Sequence, residues 1–289
     1  MRTAISIVAL LAFAGLGVGF DQPASAEDKA WPVEHRLLGK DKGEKKREKA
    51  EDVSGIACMN ESPPRKCLVI DDEVQFAQVV IVKKDSLVAG DIIPLVDGGL
   101  NKGSLDGEGV AFSKGRPGRP DYFYIVGSHG HPRRGKKEVA ERIKQSSRLI
   151  RLEVGPDTIR DDGTVATKPA RQEADLHKVF ALLPALEKFV DQPLDEESNG
   201  LNIEGIAAVE RRLYVGLRAP VLDDGAVVIS FDEEALFTGT PPNAELRALR
   251  PAASPHPRLN GADRVDAAQF ARITAAGCQR PEVTSSLGT

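Results

Sequence analysis

The chain has 289 residues, with 39 Lys and Arg against 43 Asp and Glu, and a formal net charge of -4. So mild an acidic balance leaves no electrostatic footprint for nucleic acid, and no nucleic-acid partner is expected. The length suffices for one large hydrophobic core or two smaller ones.

Residues 1–26 read as a secretory signal peptide. Arg2 is the single charge ahead of an apolar run from Ala4 to Gly19, and Ala24, Ser25 and Ala26 form a small-residue cleavage site. The run falls short of the roughly 20 apolar residues that span a bilayer, and no basic stop-transfer flank follows. The expectation is cleavage rather than anchoring, no membrane span in the remaining chain, and a periplasmic or secreted product. Residues 27–51 include the mixed-charge stretch KDKGEKKREKAED and have little to bury, so they are expected as a charged linker or a fraying N-terminal strand.

Cys58 and Cys67 flank MNESPPRK, whose paired prolines mark a turn, so the two cysteines end and begin the strands of one hairpin. In an oxidising compartment they are expected to be joined. Two thiolates with no further Cys or His nearby do not complete a tetrahedral metal site. Cys278 has no partner in this reading.

From Val53 onward, apolar runs of strand length alternate with Gly, Pro and Asp. Strands are predicted around Val69–Ile70, Val79–Val82, Ile92–Val96, Tyr122–Val126, Leu149–Val154, Leu213–Leu217 and Ala226–Ser230. One segment differs: DLHKVFALLPALEKF sets Leu176, Phe180, Leu183 and Leu186 at helical spacing, with Asp175 as a candidate N-cap and Pro184 as a kink or break. This predicts one helical insertion near 175–189.

A phrase recurs along the chain. DVSGIA at 52–57 is followed by CLVID, LDGEGVA at 105–111 by YFYIVG, and IEGIA at 203–207 by LYVGL. Gly55, Gly109 and Gly205 hold the same place in each copy. A repeat of 40 to 50 residues with several strands per unit marks an all-β, β-propeller-type array of four-stranded blades. Four blades fit residues 52–245, one of them with its phrase worn away near 150–165. The recurring glycine belongs to an innermost strand where backbones approach too closely for a side chain.

Taken in order, SGIAC, CLVIDDEVQFAQ, LDGEGVA, GSHG, FVDQPLDEESNGLNIEGIA and RLYVGLRAPVLDDGAVVIS resemble the bacterial exported family known as domain of unknown function 3616, over about residues 52 to 245. More distantly, the EGVA and EGIA phrases are similar to those of exported phytase-like esterase propellers. The first resemblance implies a propeller with no established activity, and the second hints at hydrolysis. Residues 246–289 depart from the family pattern. Strand alternation stops after Leu249, and an irregular tail rich in Ala, Arg and Pro follows, disordered or the product of a truncated or shifted frame, which leaves the ring incomplete.

Because the first two strands of a blade form a hairpin, the start of one and the end of the next share a face. That topology gathers Asp106, Glu108, Asn202, Glu204, the acidic run Asp71 to Glu73, His129 and Arg218 at one mouth of the central channel. Three readings follow. Glu108, Glu204, Asn202 and Asp72 supply oxygens to a divalent cation, calcium foremost; or His129 acts as a base with Arg218 holding an anionic group; or the acids cap strand ends and Arg218 neutralises them. The first copy has Ser54 where the others have Glu108 and Glu204, so a strand at this place does not require an acid. His131, beside Pro132 and Arg133, is expected to face solvent. No serine sits in G-x-S-x-G, and neither a P-loop nor G-x-G-x-x-G occurs. The expected function is binding of an unidentified small molecule or divalent metal at the channel mouth, with hydrolysis of an ester or phosphoester at the same site as the alternative.

Overall fold

Short apolar runs bounded by turn residues cannot hide both faces as isolated ribbons, and here they assemble into sheets that cover one another. The computed structural model describes residues 31–41, 47–97, 105–132, 140–222 and 225–249. The expected signal peptide, Cys278 and the chain beyond Leu249 lie outside the described residues.

The stretch expected as a charged linker carries three short strands, β1 (Val33–Glu34), β2 (Leu38–Asp41) and β3 (Arg47–Lys49). They form because the main domain offers partners: the buried Gln78 side chain accepts the Leu38 N–H at 2.9 Å and donates to the Arg36 carbonyl at 3.2 Å. Next come β4 (Val53–Cys58), β5 (Arg65–Asp71), β6 (Phe76–Val82) and β7 (Leu87–Pro94). They form an antiparallel meander, and β1 adds to β7 in parallel to make five strands. Cys58 lies opposite Cys67 across β4 and β5, and the two are disulfide-bonded.

The second sheet is β8 (Gly107–Ser113), β9 (Asp121–Gly127), β10 (Leu149–Val154) and β11 (Ala170–Ala174), with helix α1 (Ala140–Ser146) between β9 and β10. The third is β12 (Asn202–Val209), β13 (Arg212–Leu222), β14 (Gly225–Asp232) and β15 (Glu245–Leu249). The protein is thus mostly β, in four- to five-stranded sheets. Among the described residues no further sheet lies between the second and third. The copy expected near 150–165 is instead β10 and a tight turn bridged by Ile159 and Val165. The long step from Gly109 to Gly205 comes from connections, not from a lost blade. Residues 246–249, expected in the tail, belong to β15.

Those connections include the predicted helical insertion, which is broken in two: α2 (His177–Phe180) and a 3-10 helix, Pro184–Phe189. The break falls at Leu183, at φ -123° and ψ 82°, because the ring of a following proline disfavours the helical region. Asp175 does accept the His177 N–H at 2.9 Å, although it stands one residue ahead of the helix cap at Leu176.

Strand alternation sorts the core. From β9, Phe123 and Ile125 pack with Leu68, Val79 and Ile81 of the first sheet. Tyr122, Tyr124 and Val126, on the opposite face of that strand, pack with Leu213, Val215 and Ile229 of the third. The second sheet is buried on both faces, and each large apolar side chain removed from water contributes about 1.5–3 kcal/mol. Charges join the second and third sheets near helix α3 (Ala235–Thr238). Arg151 lies between the rings of Tyr122 and Phe237, 4.4 and 4.1 Å from their centres, and donates to Glu234 at 2.7 Å. Arg119 reaches both Glu233 and Glu234, and the buried Glu233 also accepts from Ser113 at 2.8 Å.

The first strands of the sheets, β4, β8 and β12, run side by side. Their approach depends on the recurring glycine. A methyl group on Gly109 would stand 2.8 Å from the Ile206 nitrogen and 2.9 Å from the Gly205 Cα; one on Gly55 would stand 3.1 Å from the Val110 nitrogen. Gly109→Ala therefore collides with backbone that cannot swing aside, and a loss of about 2–3 kcal/mol is expected in urea melts. Gly155→Ala is the control, because its nearest neighbour is the Thr158 hydroxyl at 3.8 Å. Equal stability of the two variants would contradict this account of the glycines.

Candidate functional site

The residue just before each recurring glycine occupies a special place in the backbone. The pairing of β4 with β5 shifts register between Val53 and Gly55, that of β8 with β9 between Gly107 and Gly109, and that of β12 with β13 between Ile203 and Gly205. Ser54, Glu108 and Glu204 are therefore the extra residues of three equivalent bulges, and a bulge re-aims the side chain it carries. The β13–β14 ladder also lapses between Leu217 and Val221, where Pro220 has no N–H to donate. Arg218 stands in that gap, half exposed, and its guanidinium meets the Glu204 carboxylate at 2.7 Å.

Several of the acids expected together influence one another electrostatically. Burial, then the charges of Glu204, Asp106 and Asp72, push the Glu108 carboxyl up to about 8 against the opposing pull of Arg218. Burial also raises Glu204, while Arg218 favours its ionised form. Asp72 is pushed up to about 6 by burial and by Asp52, Asp71 and Asp106. Asp71 plays a structural part: its carboxylate accepts the N–H groups of Asp52 and Glu73, at 3.2 and 3.0 Å, and so ties the end of β5 to the start of β4. Glu73 turns to Lys40. Asp106, at φ 52°, accepts the Ser128 hydroxyl with its carboxylate and the Ser128 N–H with its carbonyl.

Two expected members stand apart. Asn202 is buried against Gly130, and its Oδ1 has no hydrogen-bond partner among the described residues. His129 is buried among His177 and Phe180, with ring centres 6.1 and 5.7 Å away, while Arg218 is engaged by Glu204. A carbonyl only accepts, so His129 Nδ1 carries the proton that it shares with the Gly127 carbonyl at 3.0 Å, and Nε2 is a bare lone pair. Burial pushes the ring down to about 4, which keeps it neutral. The expected pairing of His129 with Arg218 is thus not formed. Nor does His131 face solvent: its side chain is largely covered, and Nε2 lies 3.2 Å from Asp191.

Asp52 was not anticipated at the mouth, although the repeat holds the signal. Three residues before each glycine stand Asp52, Asp106 and Asn202. A second unanticipated group centres on His177, whose Nδ1 donates to Asp175 at 2.6 Å and Nε2 to Asp191 at 2.9 Å. Burial opposes its charge, yet those two carboxylates outweigh burial and raise its pKa.

Chemically, the mouth is a set of partly buried carboxylates drawn from three sheets and opposed by Arg218, with Lys40 at its rim. Among the described residues, no group of three or more His, Cys, Asp or Glu side chains is placed to hold a metal ion. These features define a mostly β protein of antiparallel meanders with an acidic end. Residues 157–240, from the turn before β11 through α3, match the family described as Protein of unknown function (DUF3616). No curated protein and no solved structure matches the chain.

The raised carboxyl has a measurable consequence. The native state keeps the Glu108 proton up to about pH 8, while the unfolded chain loses it near the ordinary 4.5, so stability falls as pH rises between those values. His129 acts oppositely, losing stability as pH drops from 6.5 towards about 4, and His177 adds to the fall on the alkaline side. Between pH 6.5 and 8 the wild-type melting temperature should therefore decline, and Glu108→Gln should decline less and melt higher at pH 8. Identical slopes for the two proteins would contradict the assignment to Glu108.

Proposed function

We propose that the chain is an exported, propeller-type binding module whose acidic mouth takes a cationic ligand, a hydrated divalent cation such as calcium in the simplest case. The observation that carries this reading is the pair of equivalent bulges that set Glu108 and Glu204 on the adjacent strands β8 and β12, supported by the charges of Glu204, Asp106 and Asp72, which with burial push the Glu108 carboxyl up to about 8. A cation entering the mouth takes the place of that proton and relieves the repulsion. Because the carboxylates are gathered without forming a closed shell, the ion keeps several of its own waters, as hard cations commonly do.

The propeller reading rests on the repeated phrase, the three stacked meanders and the close approach of their first strands. Export rests on the apolar N-terminal run, and the Cys58–Cys67 disulfide is compatible with it. The alternative, hydrolysis of an ester or phosphoester at the same mouth in the manner of the phytase-like esterases, has less support, because His129 lies with His177 and Phe180 rather than with the acids.

Calcium at a hundredfold excess over its dissociation constant should stabilise the wild type by about 2.7 kcal/mol, read as a rise in melting temperature over EDTA-treated protein. The Glu108→Gln/Glu204→Gln double variant should melt alike with and without calcium. A wild-type melting temperature indifferent to calcium at millimolar concentrations would overturn the divalent-cation form of the proposal.

A further inference from the structure

Around α1, the end of β11, the start of α2 and Leu236 of α3 there is an open cleft of about 820 Å³. Its polar walls are unequally charged: Lys144, Arg148, His177 and Lys178 are basic, while Glu173 and Asp175 are acidic. Two of the bases are already satisfied. Arg148 donates to Glu173 at 2.5 Å and to the Lys144 carbonyl at 3.1 Å, and His177 is fixed between Asp175 and Asp191 at 2.6 and 2.9 Å. Both acids of the cleft are consumed in these pairs. Lys144 and Lys178 remain, both exposed, and neither makes an ion pair among the described residues. The same cleft has an apolar lining of Ile143, Ala174 and Leu236.

We infer that this cleft is a second binding site, in which Lys144 and Lys178 together with the apolar lining take a small organic anion, a phosphate or carboxylate joined to an apolar body. The volume lies in the range of small-molecule sites, and few polar groups beside apolar surface is their usual composition. Among the described residues, the acids that would repel an anion are tied to Arg148 and His177, so the ammonium groups of Lys144 and Lys178 set the local charge. The inference is independent of the acidic mouth, which takes charge of the opposite sign.

Calorimetric titration of the full chain with phenyl phosphate, benzoate, phenol and inorganic phosphate tests it. Phenyl phosphate or benzoate should bind saturably, and comparing the two tells which anion is preferred. Phenol and inorganic phosphate should each bind far more weakly, since one lacks the charge and the other the apolar body. Lys144→Gln and Lys178→Gln should each weaken binding about tenfold, the scale of one charge-assisted hydrogen bond, while Lys84→Gln in the exposed turn between β6 and β7 should not. Both lysines are exposed, so the variants should melt like the wild type, and a melt of each checks this. The inference is overturned by an absence of saturable binding in the millimolar range, by binding unchanged in both lysine variants, or by phenol or inorganic phosphate binding as tightly as the organic anions.

Discussion

Backbone-to-backbone contact between β4, β8 and β12 is the constraint on which the rest of the molecule depends. Three sheets can meet along their first strands only where nothing projects between them, and Gly55 and Gly109 provide that absence at van der Waals distance from the next strand. The contact fixes how far apart the sheets diverge. Phe123 and Ile125 then fill one wedge, and Tyr122, Tyr124 and Val126 fill the other. Towards the periphery, where β11 and α3 lie, dispersion gives way to the stacked and ion-paired Arg151 and to Arg119 on the buried Glu233. Such a buried pair owes its value to complete hydrogen bonding, which Ser113, donating to Glu233, and Glu234, accepting from Arg119, help to supply.

The same contact creates the electrostatic problem at the mouth. Bulges ahead of the glycines bring Glu108 and Glu204 from neighbouring strands to one end, and Asp72 and Asp106 join them from the adjoining turns. Arg218 satisfies one carboxylate, and the other keeps a proton. Ser54 at the equivalent bulge of β4 shows that this backbone forms without an acid there, so the carboxylates burden a fold that does not need them. Carboxylates that cost stability mark a candidate functional site, and under the proposed function a cation removes that cost.

Much of this was legible in the sequence because it follows from periodicity and from the repeat. The apolar alternation around Tyr122–Val126 and Leu149–Val154 became β9 and β10, and the repeated glycine marked the inner strands. The polar edge strand ARQEA at β11 carried no such pattern, since an outer strand buries little. The period misled where connections were long: α1, the turn at 155–165 and the two short helices fill the place of an expected blade. Hairpin topology gave a reason to expect the acids at one end, but it could not say which way His129 points. Its left-handed backbone, φ 54°, turns the ring towards His177 and away from the acids, and that depends on residues nearly 50 positions later in the chain. A more distant partner such as Asp191, bonded to His177, leaves no local signature.

Proton release on ligand binding is the most direct test of the central claim that a cation replaces the proton of Glu108. In weakly buffered solution at pH 7, below the value of about 8 to which Glu108 is raised, nearly every native molecule carries that proton. Adding calcium to saturation while recording pH should release close to one proton per wild-type chain, and almost none from Glu108→Gln. Calcium binding without proton release, or equal release from both proteins, would contradict the account.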